Sequence, residues 1–179
     1  HVRVGIVAFA GSAQVTQLPT VNREDLTTAI DSFQLQRGTA TGNGIVMSLA
    51  TLFPDAGIDM AALGNNNGNA RNGARSLSSP APNADQAAKE FTPVPPGSYT
   101  SAAIIMLTDG QRTTGVDPLE AAKLAADRGV RVYTVGIGTV DGETIGFEGW
   151  SMRVKLDEET LKSIATRTQG EYFYAGTAA

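Results

Sequence analysis

The sequence predicts an α/β domain built on a doubly wound, mostly parallel sheet with helices on both faces. Three observations carry this. Short apolar runs rich in β-branched residues alternate with amphipathic stretches of roughly 10 to 15 residues. The run Ala102–Leu107 is apolar almost throughout, as a central parallel strand covered on both faces is, and Val130–Ile137 is a further strand pattern. Glycines and capping residues punctuate the boundaries. The 179 residues, 41% hydrophobic and 18% charged, fit one globular domain.

In chain order, Val2–Phe9 is a buried-strand pattern, and Gly11-Ser12 turns it into a second strand near Ala13–Leu18. Asn22 is an N-cap for a helix to about Phe33, whose Leu26, Ile30 and Phe33 recur at helical spacing and are expected to face the sheet. A polar, glycine-rich loop from Gln36 to Gly44 leads into a helix from Ile45 to about Phe53. The stretch 54–99 differs in kind. It holds six of the eight prolines and the tract Asn65-Asn66-Asn67-Gly68-Asn69, so it reads as a long surface insertion with short helices near Ile58–Leu63 and Asp85–Glu90. The apolar run Ala102–Leu107 then ends at Thr108-Asp109-Gly110. Asp117-Pro118 opens a helix that Gly129 closes, and Val130–Ile137 is a further strand. Gly138–Leu156 is a loop with a β-excursion around Gly146–Trp150. Asp157 caps a last helix ended by Gly170, and Glu171–Tyr174 is the final strand.

Several function classes lose support. Net charge is -4 and no Lys/Arg cluster occurs, which argues against a nucleic-acid partner. With no cysteine, thiolate metal sites and disulfides are excluded. The sole histidine is His1, and neither a Gly-Lys-Ser/Thr phosphate loop nor a Gly-x-Ser-x-Gly elbow is present. Gly42-Asn43-Gly44 and Gly136-Ile137-Gly138 begin like dinucleotide fingerprints, but Met47 and Asp141 stand where the third glycine belongs. A nucleotide-binding or hydrolytic enzyme on a Rossmann-like sheet is therefore the alternative, not the leading reading.

In such sheets ligands bind beyond the carboxyl ends of the strands. The loops there are Ala10–Ser12, Gly38–Gly44, Asp109–Gly115 and the stretch from Gly138. Asp109 ends the most apolar strand, where it either meets a cation or caps its own loop. Thr39 and Thr41 precede a helix, where hydroxyls either ligate or, like Asn43, cap. Gly11, Ser12, Thr41 and Gly110 are candidate partner contacts on this edge.

Together, Arg37-Gly38-Thr39-Ala40-Thr41-Gly42 before a helix and Leu107-Thr108-Asp109-Gly110 after a strand resemble the von Willebrand factor A (VWA) family. Val4–Phe9, Val132–Gly138 and Leu156–Leu161 fit in the same order. The stretch Ile145–Phe173 is especially similar to bacterial aerotolerance-operon and chloride-channel-like members held at the inner membrane by flanking helices. The resemblance implies a metal ion-dependent adhesion site for Mg²⁺ or Mn²⁺, with Thr39 and Asp109 as ligands and a protein partner offering an acidic residue. Membrane attachment would come through segments outside this sequence. The family's Asp-x-Ser-x-Ser motif occurs nowhere in the chain, so metal binding is expected to be weak or absent. By the same resemblance the chain, opening inside a strand without an initiator Met, reads as an N-terminally truncated domain over 1–179 whose first central strand is not in the sequence. A scaffold with a non-functional site is the further alternative. The vacant strand position between the Val2–Phe9 and Ala102–Leu107 strands is expected to be filled by another segment or a neighbouring chain, because unpaired edges are costly.

Overall fold

The computed structural model describes residues 2–34, 36–58, 91–109, 111–138, 143–147, 150–154 and 156–176; in 143–147 and 150–154 it describes the backbone alone. The elements are β1 (Val4–Phe9), β2 (Ala13–Thr20), α1 (Arg23–Asp31), α2 (Thr41–Leu52), a 3-10 turn (Pro54–Ala56), β3 (Ala103–Thr108), α3 (Pro118–Asp127), β4 (Arg131–Ile137), β5 (Glu143–Phe147), β6 (Trp150–Val154), α4 (Glu158–Arg167) and β7 (Tyr172–Gly176). β1 and β2 form an antiparallel hairpin, β3-β4-β7 a parallel sheet in that order, and β5-β6 a second hairpin in the expected excursion. Most of the predicted insertion, including both of its short helices, lies outside the described residues.

The caps explain three helix starts. The Asn22 side chain accepts from Glu24 N, that of Asp117 from Leu119 N and Glu120 N, and that of Asp157 from Thr160 N. Each occupies one or two of the backbone donors that a helix start leaves free. Gly129, at φ 71, ends α3 as expected. At the end of α4 the left-handed residue is Gln169, at φ 57, one position before the expected Gly170. Gly170 serves instead for close approach, since a Cβ there would sit 2.1 Å from Val132 O.

α2 departs from its predicted start: it opens at Thr41, four residues before Ile45. Two glycines in its first turn lower helix propensity, but packing requires them. A Cβ on Gly42 would lie 2.2 Å from Val116 O, and one on Gly44 would lie 2.8 Å from the Phe9 ring. No side chain caps this helix. Asn43 instead accepts from Val116 N at 2.7 Å, and the Thr41 hydroxyl is buried without a partner.

The core lies where α2, α3 and α4 meet one face of β3 and β4. Ile45, Val46, Leu49, Val130, Val132, Leu161 and Ile164 are fully buried, each contributing about 2 kcal/mol in apolar transfer. Two buried threonines join α4 to β4. Thr168 Oγ1 accepts from Val132 N and donates back within its helix, and Thr134 Oγ1 donates to Leu161 O.

Two packing expectations are corrected. β3 is covered on one face only: Ile104 and Met106 are buried, whereas Ile105 is 66% and Leu107 57% exposed. In α1 the buried residue is Ala29, while Ile30 and Phe33 are exposed. Helical spacing marks an apolar face but cannot state what stands opposite it.

β1 and β3 do not pair. β1 bonds β2, β3 bonds β4, and no Cα of β1 comes within 8 Å of a Cα of β3. Among the described residues, α2 touches both strands.

Candidate functional site

Three loops converge at the carboxyl ends of β1 and β3. The loop after β1 is closed by Ala10 N donating to Ser12 O, and Ala10 O accepts from Ala40 N at 2.6 Å. Gly11 makes this approach feasible, because a Cβ there would lie 3.0 Å from Arg37 O. Opposite it, Gly38 adopts φ 91, with its Cβ position 3.2 Å from Gly11 Cα. Only a glycine takes up that backbone conformation cheaply at so close a contact.

Thr39 is clamped from the other side. Its N–H donates to Thr113 Oγ1 at 2.7 Å, and its carbonyl accepts from Thr113 N at 3.0 Å. Thr113 belongs to the loop that follows Asp109, so Thr39 and the Asp109 loop are bonded to each other. Asp109 is half-buried. Its carboxylate accepts from Gln111 N at 3.3 Å, and its carbonyl accepts from Asp157 N at 2.9 Å, which fixes the aspartate against the start of α4.

The other sequence-derived residues divide by exposure. Gly11 and Ser12 are exposed at the rim. Thr41 is fully buried, so as a partner contact it is corrected: its hydroxyl is out of reach of a docked protein, because α2 begins at Thr41 and tucks under the 113–117 loop. Gly110 lies outside the described residues. Sequence reasoning passed over Thr113 and gave Asn43 only a capping role, yet these two side chains tie the Thr39 loop and α2 to the loop before α3. The available signal was the polar turn Thr113-Thr114-Gly115, whose partner 74 residues away no local pattern reveals.

The donors at this edge are oxygens, one hydroxyl and one carboxylate, which suit a hard divalent cation. Among the described residues no group of three or more Asp, Glu, His or Cys could hold a metal ion.

The sequence pattern defining the von Willebrand factor type A domain matches residues 83–178, more than half of the chain. The chain belongs to the VWA family. A relative from Nocardia farcinica, named UPF0353 protein, is 32% identical over 190 residues, covering 98% of this chain and 47% of its own length. This VWA chain thus spans about half the length of the curated relatives it matches. An aerotolerance-related membrane protein from Bacteroides fragilis superposes with TM-score 0.64 at 22% identity, over 97% of this chain and 71% of that one. The mussel byssus proximal thread matrix protein 1, with a zinc-occupied metal ion-dependent adhesion motif, superposes with TM-score 0.52 at 18% identity, over 99% of this chain and 31% of that one. These two establish the VWA fold, an α/β Rossmann-like architecture. No described helix of the VWA chain is long and apolar enough to cross a membrane.

Proposed function

We propose that this VWA domain is a metal-assisted protein-binding module of a bacterial cell-envelope protein. The observation that carries the reading is the two-way hydrogen bonding of Thr39 with Thr113, which draws the hydroxyl-bearing loop to the loop of Asp109. Thr39 and Asp109 ligate Mg²⁺ or Mn²⁺, whose remaining positions go to water and to groups from beyond the described residues. With one protein carboxylate the ion stays electrophilic, so an acidic side chain of a partner completes its shell beside Gly11 and Ser12. The zinc-filled motif of the mussel protein supports divalent occupancy of this edge. The membrane-protein description of the Bacteroides neighbour supports a place at the inner membrane, with this domain outside the bilayer. The insertion at about 54–99 decorates a single domain. The partner reading includes a strand delivered by another segment or a neighbouring chain between β1 and β3.

The test is calorimetric titration of Mg²⁺ and Mn²⁺ into the chain and into Asp109→Asn, a change that keeps the backbone carbonyl bonded to Asp157. The expected outcome is weak saturable binding, with Kd on the order of 1 mM, lost in Asp109→Asn and weakened in Thr39→Ala. Equal binding by Asp109→Asn would overturn the assignment.

A further inference from the structure

We infer that Arg112 is a specificity-determining residue of this edge, whose guanidinium binds a second acidic side chain of the protein partner. This rests on the partner reading above and adds to it a contact made without the cation.

Arg112 stands between the two candidate ligands. Gln111, just before it, donates its N–H to the Asp109 carboxylate at 3.3 Å. Thr113, just after it, is bonded to Thr39 through both its hydroxyl and its N–H. Each chain neighbour of Arg112 is therefore tied to one of the residues assigned to the cation. Asp109 lies three residues back, so chain length alone keeps the Arg112 backbone within about 11 Å of it.

The side chain is held in advance. Arg112 Nη1 donates to Asp117 Oδ2 at 3.2 Å. Asp117 is itself fixed, because its Oδ1 accepts from Leu119 N at 2.8 Å and from Glu120 N at 3.3 Å at the start of α3. A helix cap thus serves as the anchor of a guanidinium. The guanidinium carries a planar fork of N–H donors, and among the described residues Asp117 is its hydrogen-bond partner. The Arg112 side chain is 33% exposed, so a docked group can reach the donors that remain. An arginine already ordered in this way loses less entropy on pairing with a carboxylate.

Stability does not account for the pair. The cap uses Oδ1 alone, and an ion pair between partners that are 33% and 49% exposed is screened by solvent and contributes little. Electrostatics gives it a use. The chain carries a net charge of -4, and Asp157, Glu158 and Glu159 stand at the start of α4, where Asp157 N is bonded to Asp109 O. An acidic partner approaching this edge is repelled by those carboxylates. Arg112 offers it a fixed positive group. Because Asp117 offsets its charge, Arg112 does so without driving a cation away.

The probe is a hexapeptide of glutamate, titrated into the nitrogen-15-labelled full chain in Mg²⁺ and again in EDTA and followed by NMR. In Mg²⁺ the peptide should shift the Nε–Hε signal of Arg112 together with the Thr39 and Thr113 amides. Arg112→Ala should lower peptide affinity by about tenfold. Lys123→Ala, which removes the same charge and likewise an ion pair, should change it by less than about twofold. Arg112→Lys keeps the charge without the fork and should recover only part of the loss. The Leu119 and Glu120 amides should keep their positions in all three variants, which shows the cap and the fold intact, and Mg²⁺ affinity should not change. No saturable peptide binding by the wild type, equal affinity in Arg112→Ala, or an equal loss in Lys123→Ala would each overturn the inference. Binding that needs Mg²⁺ and ignores Arg112→Ala would sink Arg112 alone. Binding that needs Arg112 and is equally strong in EDTA would support Arg112 and count against the cation reading alone.

Discussion

The two halves of this molecule obey the same sequence rules with unequal results. In the half built from β3, β4, β7, α3 and α4, apolar periodicity becomes burial, and Val130, Val132, Leu161 and Ile164 are sealed from water. In the half built from β1, β2 and α1, equally apolar residues stay in solvent; Ile30 is 54%, Phe33 49% and Val4 47% exposed. Nothing in the local sequence of α1 is inferior. It has a capped start and two acids in its first turn, which suit the helix dipole. The difference is the opposing layer. Hydrophobic patterning orients an element, and the free energy is released only when a second surface arrives.

Substitutions sharpen the contrast. The largest effect is expected for Leu161→Ala, which empties a fully buried site and should lower unfolding stability by about 2–5 kcal/mol in a denaturant titration. Next comes Asn43→Ala. It strips the acceptor from Val116 N on a residue that is 3% exposed, at a cost of about 1–3 kcal/mol. It should also increase the exchange rate of the Thr39 and Thr113 amides, since α2 and the 113–117 loop lose their tie.

A smaller effect is tied to pH. Burial, with the Glu158 carboxylate close by, pushes the Tyr172 hydroxyl up from 10.0 to about 12. A raised folded value means that this stabilisation is complete below pH 10 and drains away as pH rises toward 12. Tyr172→Phe should therefore flatten that part of the stability–pH curve and leave the neutral range alone. The smallest effect is expected for Ile30→Ala, within about 0.5 kcal/mol. A loss there matching that of Leu161→Ala would break the comparison between the halves.

The fold class, most element positions and three of the four helix caps were legible in the sequence, because Asn22, Asp117 and Asp157 act on amides only two or three residues away. The start of α2 was not, since its glycines answer to Val116 and Phe9, both remote in sequence. The exposure of Ile105 and Leu107 was equally hidden, as an apolar run states what a strand prefers and not what it receives. For the site, the two loops carrying Thr39 and Asp109 could be named from their motifs, whereas the Thr113 clamp joining them required coordinates.

One feature of the architecture bears on how the molecule comes apart. Among the described helices and strands, α2 alone touches both the β1–β2 hairpin and the β3-led sheet. Among the described residues, this 12-residue helix and the Thr39-Ala40 segment before it join the two halves. Partial opening should follow that seam, with the hairpin and α1 released as one foldon while the parallel sheet, α3 and α4 persist. Under load the domain would yield in two steps, the first at the helix that begins beside the candidate metal site.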